Sequence, residues 1–326
     1  MKKILALTMA ALMALSLCAC GGGSSSADGG SGGAVSLNMA TGGTSGTYYG
    51  FSGVVAQVLN EKIGDQLKIT VESTGASAAN IDLIDTNGDQ LAIVQNDVMY
   101  YAATGTDMYD GKAPIESYSA VMSCYPEYVQ IVANTSITSI DQLAGKKVSV
   151  GDAGSGVEFN ARQILAAYGI DIDNDIVKNN QSFADSADSL KNGTIDAAFV
   201  VAGYPTTAVS ELASTYSFNL LTIDQEHADA LMNQYGFYTY GVIPGGTYGP
   251  VADDTPAVAV MATIIARNDV PEDAVYNFVK GVFDYQDDIA AGHDKGKELS
   301  LDTAVSGVDI DFHPGAVKYF TEQGVM

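Results

Sequence analysis

The sequence predicts an α/β protein of two lobes facing a ligand cleft, and three observations carry that expectation. Strand, polar loop and helix patterns recur three times in about the first seventy residues after position 34, the alternation of a mostly parallel sheet. A second set of the same kind opens near Val148. Two stretches, Thr41-Gly42-Gly43-Thr44-Ser45-Gly46-Thr47-Tyr48-Tyr49 and Val148-Ser149-Val150-Gly151-Asp152-Ala153-Gly154-Ser155-Gly156, each sit between a strand and a helix pattern. Glycines there let backbone approach a guest, and a helix start aims free N–H groups at it. Each stretch alone also reads as an ordinary strand-to-helix turn. As a pair they suggest two walls around one small anionic or zwitterionic molecule.

The first residues point to export. Met1-Lys2-Lys3 is a positive start, and the apolar run 4–17 is shorter than the roughly 20 residues of a membrane span, as in a secretory signal peptide. Leu17-Cys18-Ala19-Cys20 followed by Gly and Ser resembles a bacterial lipobox, with Cys20 the lipidated residue. Residues 1–19 are then a signal peptide and 20–33 a lipidated, flexible Gly/Ser tether. The expected location is extracytoplasmic, lipid-anchored to the bacterial cell membrane.

The remaining residues, 34–326, exceed what one core usually serves. In order, 35–39 reads as strand, and 49–60 as helix with Phe51, Val54, Val55, Val58 and Leu59 at helical spacing. Strand 67–71 leads into Glu72-Ser73-Thr74-Gly75-Ala76-Ser77 and helix 78–84. Strand 91–94 leads into Gln95-Asn96-Asp97 and helix 98–103. Extended runs 120–125 and 128–133, broken by Pro126, suit a passage between lobes. A short helix 140–147 precedes strand 148–150 and helix 157–168, with Phe159, Ile164, Leu165 and Tyr168 inward and Arg162 on another face. Helix 186–191, strand 195–201, helix 206–213, strand 218–223 and helix 227–235 follow. Residues 238–248 read as irregular, 257–266 as a buried strand returning to the first lobe, 271–282 as a helix with Pro271 at its first position, and 312–320 as the last helix.

Composition excludes several functions. The net charge is −24, about −26 once Lys2 and Lys3 leave with the signal, which argues against nucleic-acid binding. Arg162 and Arg267 are the only arginines, so no arginine cluster can clamp a phosphate or dicarboxylate. Gly154 and Gly156 begin a dinucleotide fingerprint that Phe159 ends. No loop glycine precedes the Lys-Ser/Thr of a phosphate loop. Ala153 and Val157 stand where a nucleophile elbow around Ser155 needs glycine. His227, His293 and His313 lack metal-ligand spacing, and the acidic turn 171–175 has Ile176 where a calcium loop needs Gly. The expectation is binding without catalysis, cofactor or metal.

Several ordered motifs together resemble one family. They are Thr41-Gly42-Gly43-x-x-Gly46-x-Tyr48-Tyr49, Ser73-Thr74-Gly75-Ala76-Ser77 with Asn80, and Val94-Gln95-Asn96-Asp97 with Tyr100-Tyr101-Ala102. Gly145-Lys146-x-Val148-Ser149-Val150-Gly151-x-x-Gly154-Ser155-Gly156, Gly203-x-Pro205-Thr206 and His313-Pro314-Gly315-Ala316 continue the series. The chain from about residue 35 onward resembles the TAXI family, extracytoplasmic receptors of TRAP transporters. The resemblance implies a type II periplasmic-binding-protein fold, with 34–124 plus 250–326 as one lobe and 125–249 as the other. It implies a glutamate- or glutamine-like carboxylate or amino acid as ligand, delivered to TRAP membrane subunits by a monomer. Gly43, Thr44, Tyr48, Ser73, Thr74 and Ser77 are expected to hold a carboxylate, with amides of Gly154, Ser155 and Gly156 opposite. Gln95, Asp97 or Glu158 would hold an ammonium group, Gly203 and Tyr204 would cover the guest, and Arg162 faces either cleft or surface. A sensor or signalling lipoprotein on the same fold is the alternative.

Overall fold

The computed structural model describes residues 33–326. The signal peptide, Cys20 and all but the last residue of the tether lie outside the described residues.

Short apolar strands alternate with amphipathic helices. β1 (Val35–Ala40) buries Leu37 and Met39. α1 (Thr47–Lys62) lays Phe51, Val55 and Leu59 on the sheet, one turn apart. β2 (Leu67–Glu72) is tied to α1 by Asn60, whose side chain donates to the Ile69 carbonyl at 2.8 Å and accepts from its N–H at 2.7 Å. α2 (Ser77–Asp85), β3 (Leu91–Gln95) and α3 (Asn96–Thr104) complete the first set. The 17-residue β4 (Tyr118–Asn134) leads to the second: β5 (Lys147–Ser149), α4 (Val157–Ala167), β6 (Val177–Asn179), α5 (Phe183–Lys191), β7 (Ala197–Ala202), α6 (Thr207–Ala213), β8 (Phe218–Leu221) and α7 (Gln225–Tyr235). β9 (Thr239–Ile243) turns into the 13-residue β10 (Thr255–Arg267). α8 (Glu272–Asp284), α9 (Gln286–Gly292), a 3₁₀ turn Asp294–Glu298, α10 (Leu301–Ala304) and α11 (Pro314–Gln323) follow.

The strand order has the same plan on both sides. One side reads β2-β1-β3-β10-β4, the other β6-β5-β7-β4-β8. In each, three parallel strands take a visiting antiparallel strand before the fourth. β4 runs against β10 from Tyr118 to Tyr128, then pairs with β7 from Tyr128 to Ala133. β10 in turn pairs with β9 over Thr255–Ala259 and with β3 over Ala262–Ala266. The two long strands thus pass between two packed bodies. Their apolar cores are separate: Phe51, Tyr125, Phe278 and Phe320 belong to one, and Phe199, Ile131, Ile164 and Leu231 to another.

The local expectations differ from the structure at particular points. Pro126 does not break β4, because it pairs only with Met261 of β10, and β7 begins to pair at Tyr128. An open side is where a missing N–H does no harm. β6 and β9 went unread: β6 has three residues with Val177 exposed, and Gly241 interrupts β9 where the Tyr128 ring lies against it. Phe159 and Tyr168 are half-buried, while Val157, Asn160, Ala161, Ile164 and Leu165 form the inner face of α4. Tyr168 stacks on His227 at 3.7 Å instead. Pro271 is the cap before α8 rather than its first residue, and Asn96 and Asp97 lie in the first turn of α3. Among the described residues no helix is long and apolar enough to cross a membrane.

Candidate functional site

The parallel strands of both sides end at the same cleft, and their loops close over a cavity of about 50 Å³. That is room for a few water-sized groups, far below the roughly 300–1,000 Å³ of a drug-sized site. Gly42, Gly43, Ser45–Tyr48, Ala76, Ser77 and Gln95 line one wall. Asp152, Ser155–Val157, Phe183, Val201 and Ala202 line the other, and Glu127 of β4 comes from between them.

The walls touch directly. Thr47 Oγ1 donates to the Gly203 carbonyl at 2.9 Å, and the Ala208 N–H to the Ser45 carbonyl at 3.2 Å. The N–H groups of Ala78 and Ala79 donate to the Gly154 carbonyl at 3.1 and 3.3 Å. Gly156 lies so close to Gln95 that no side-chain atom fits between them. The cleft is closed.

The helices α1, α2, α3 and α4 all begin at the cavity, capped by Gly46, Ala76, Gln95 and Gly156 with no side-chain cap hydrogen bond. By contrast α7 and α11, which begin elsewhere, are capped by Asp224 and His313, and α5, whose first residue Phe183 lines the cavity, is capped by Ser182. First-turn N–H groups have no partner within their helix. In α2 those of Ala78 and Ala79 are taken by the Gly154 carbonyl and in α3 that of Val98 by Asp97 Oδ1, so α1 and α4 carry the positive ends that remain for a guest. Ala76 holds φ of 69°, a conformation that in a non-glycine residue costs about 1–3 kcal/mol and clusters at functional sites.

The expected ligand residues divide by position. Gly43, Tyr48, Ser77, Gln95, Ser155 and Gly156 line the cavity. Thr44 is exposed, and Ser73 donates to the Gly42 carbonyl at 3.0 Å. Thr74 Oγ1 binds the Thr41 carbonyl at 3.0 Å and the Asn80 Oδ1 at 2.5 Å, which knits the first two loops together. Asn80 completes that knot through Nδ2, 2.6 Å from the Thr41 carbonyl and 2.8 Å from that of Ile93. Gly154 offers its carbonyl across the cleft rather than its N–H. Gly203 and Tyr204 pack against Lys295, whose Nζ lies 4.8 Å from the Tyr204 ring centre. Glu158 pairs with Lys178 at 2.8 Å and Arg162 with Asp173 at 2.6 Å, so both face the surface side of α4.

Asp97 is 1 % exposed and faces the other lobe rather than the cavity: its Oδ2 accepts from Asn160 Nδ2 at 2.9 Å. Asn160 Nδ2 also reaches Tyr238 Oη at 2.9 Å, and that hydroxyl donates to Gln163 Oε1 at 2.6 Å. Burial pushes the Asp97 carboxyl up from 3.8 to about 6. Between those values the folded protein keeps a proton that the unfolded chain has lost. The stability this group contributes is therefore fully present below about pH 4 and lost as pH rises through 6. Two pH units correspond to about 3 kcal/mol. Asp97→Asn removes the titrating group and keeps one acceptor oxygen, enough for Val98 or Asn160, which bind different oxygens of the acid. It is expected to raise the melting temperature at pH 7 by several degrees and to flatten this part of the profile between pH 4 and 8. Parallel wild-type and variant profiles in differential scanning fluorimetry would contradict the assignment.

Glu127 was not foreseen. It is 2 % exposed, and its Oε2 accepts a 2.6 Å hydrogen bond from Tyr48 Oη. Burial, with Asp97 nearby, holds its carboxyl well above the usual range, against the lowering influence of the Tyr48 hydrogen bond and of Lys295. A lone acid in Tyr125-Pro126-Glu127-Tyr128 carries no motif; an acid inside an otherwise apolar strand was the only available signal.

Comparison with known proteins follows the fold. A model of the NMT1-like family matches residues 39–324. The alkanesulfonate-binding protein SsuA from Xanthomonas axonopodis pv. citri, bound to MOPS, superposes with a TM-score of 0.50 at 15% identity, covering 88% of this chain and 83% of that one. A ligand-binding component of an ABC-type import system from Staphylococcus aureus, with zinc bound, gives 0.50 at 11% identity, covering 88% and 90%. A periplasmic transporter structure gives 0.52 at 15% identity, covering 88% and 93%. These likenesses are of fold: two α/β lobes of the periplasmic-binding-protein kind.

Proposed function

The chain belongs to the NMT1-like family, and from that premise we propose that it is an extracytoplasmic solute-binding receptor. It captures a small carboxylate or amino acid between its lobes and hands it to the membrane subunits of a TRAP-type transporter. The observation that carries the reading is the cavity itself: the starts of α1 and α4, which no side chain caps, and a few polar side chains meet in a small closed space between lobes joined by long strands. Helix starts favour an anionic group, and the cavity lining contains neither Lys nor Arg. A carboxylate held by amides and hydroxyls fits better there than a phosphate. The lobes open about β4 and β10 to admit the guest and close on it, which makes the surface a membrane partner reads. The chain acts as a monomer, tethered through a lipid on Cys20. The TRAP partner and the anchor rest on the motifs of the sequence, and no catalytic step is assigned.

Thermal denaturation with a panel of amino acids, mono- and dicarboxylates and sugars tests this. At a hundredfold excess over Kd a true ligand stabilises by about 2.7 kcal/mol. For a chain of this size that is a rise of about 5 °C or more. A flat response to every amino acid and carboxylate would sink the receptor reading.

A further inference from the structure

We propose that Glu127 is the residue that reads a protonated amine on the solute, so that this receptor selects amino acids over acids of the same skeleton without the amine. The inference rests on the receptor reading above and gives Glu127 the part that sequence had offered to Gln95, Asp97 or Glu158.

Three observations lead there. First, Asp97 and Glu158 are engaged elsewhere, with Asn160 and Lys178. Second, among the described residues Glu127 uses one oxygen for Tyr48 and accepts nothing at Oε1, while lining the cavity. Its one basic neighbour, Lys295, is 3 % exposed, pairs with Glu298 at 2.6 Å and lies over the Tyr204 and Tyr125 rings; it makes no ion pair with Glu127. Third, Gln95 is 2 % exposed on the same lining, and its Oε1 accepts no hydrogen bond. The two residues share the cavity lining, and a chain of contacts links them: the Gln95 backbone N–H donates to Ser77 Oγ at 3.1 Å, and Ser77 adjoins the Tyr48 hydroxyl that binds Glu127. A buried amide oxygen without a donor and a carboxylate oxygen left open on the cavity lining suit a guest that brings N–H groups. An ammonium group brings three and a charge, while its carboxylate turns to the helix starts.

The electrostatics around Glu127 agree. Tyr48, Tyr125, Cys124, Asp97 and Lys295 are the titratable groups around Glu127, with Asp152 on the facing wall. Burial dominates and raises the Glu127 carboxyl above its usual range, against the lowering influence of the Tyr48 hydrogen bond and of Lys295. An incoming ammonium group favours the ionised carboxylate. Ion pairing therefore lowers the proton affinity of the carboxyl.

The test uses the chain from residue 21 onward, in matched pairs: L-glutamate and glutarate, L-glutamine and glutaramate, L-alanine and propionate. Isothermal titration calorimetry at pH 7 in two buffers of different ionisation enthalpy gives affinity and proton release together. For at least one pair the amino acid should bind about 100-fold or more tightly than its partner, with net proton release on binding. Glu127→Gln, which still accepts from Tyr48, should erase both the preference and the release. Equal affinity within the pairs, or preference retained by the variant, overturns the inference while leaving the receptor reading in place. Silence from all six compounds removes both. The wild-type measurements decide even if the variant does not fold.

Discussion

Replacing Gly156 by alanine is expected to weaken solute binding about 100-fold or more while leaving both lobes folded. Gly156 caps α4 at φ −69° and ψ −17°, a conformation alanine adopts freely. The obstacle lies across the cleft. A Cβ there would overlap Gln95 Oε1 and stand 2.8 Å from Val98 Cγ2, both on the opposite lobe. Overpacking of this kind costs about 1–3 kcal/mol and more where neighbours cannot yield. Here only the closed state bears it. Calorimetry should show the lost affinity, small-angle scattering a larger radius of gyration with ligand present, and fluorimetry an unchanged ligand-free melting temperature. Wild-type affinity in the variant would mean that the cleft does not close on Gly156.

A second glycine is expected to act on the fold. Gly315 lies in the first turn of α11, against α8. A Cβ would overlap the Glu272 carbonyl oxygen and lie 2.7 Å from the Tyr276 nitrogen and 3.0 Å from Val275 Cβ. Two of these three are backbone, which no rotamer change can move. The helices must separate, and with them the packing of Phe283 against Tyr319 and Phe320. Gly315→Ala should therefore cost about 3 kcal/mol or more and lower the melting temperature by about 6 °C or more. A shift under 2 °C would show that the pair adjusts freely.

The two glycines show how unevenly the sequence could be read. Both belong to motifs visible from the start, yet nothing local tells that one meets a neighbouring helix and the other an opposite lobe. The hydroxyls of Ser73 and Thr74 read as ligand groups because Ser and Thr next to glycine serve either use. Their geometry turns them onto the Gly42 and Thr41 carbonyls, where they hold two loops in register. Arg162 offered either cleft or surface. The acidic turn at Asp173, eleven residues on, decides for the surface with a 2.6 Å ion pair.

By itself the sequence determined what short-range chemistry controls: most of the strands and helices, through periods of two and three to four; the recurring strand-loop-helix plan; the glycine loops at strand ends; and an acidity that leaves no arginine clamp. Tertiary structure decided which polar groups meet. Glu127 lies on a 17-residue strand buried along almost its whole length, where no alternation marks an inner side. It reaches the cavity only because β4 passes between the lobes and α1 brings the Tyr48 hydroxyl to it across 79 positions of chain. Local propensity carries no information over that distance. Packing does, because a buried carboxyl is tolerated only where a partner has been brought to it.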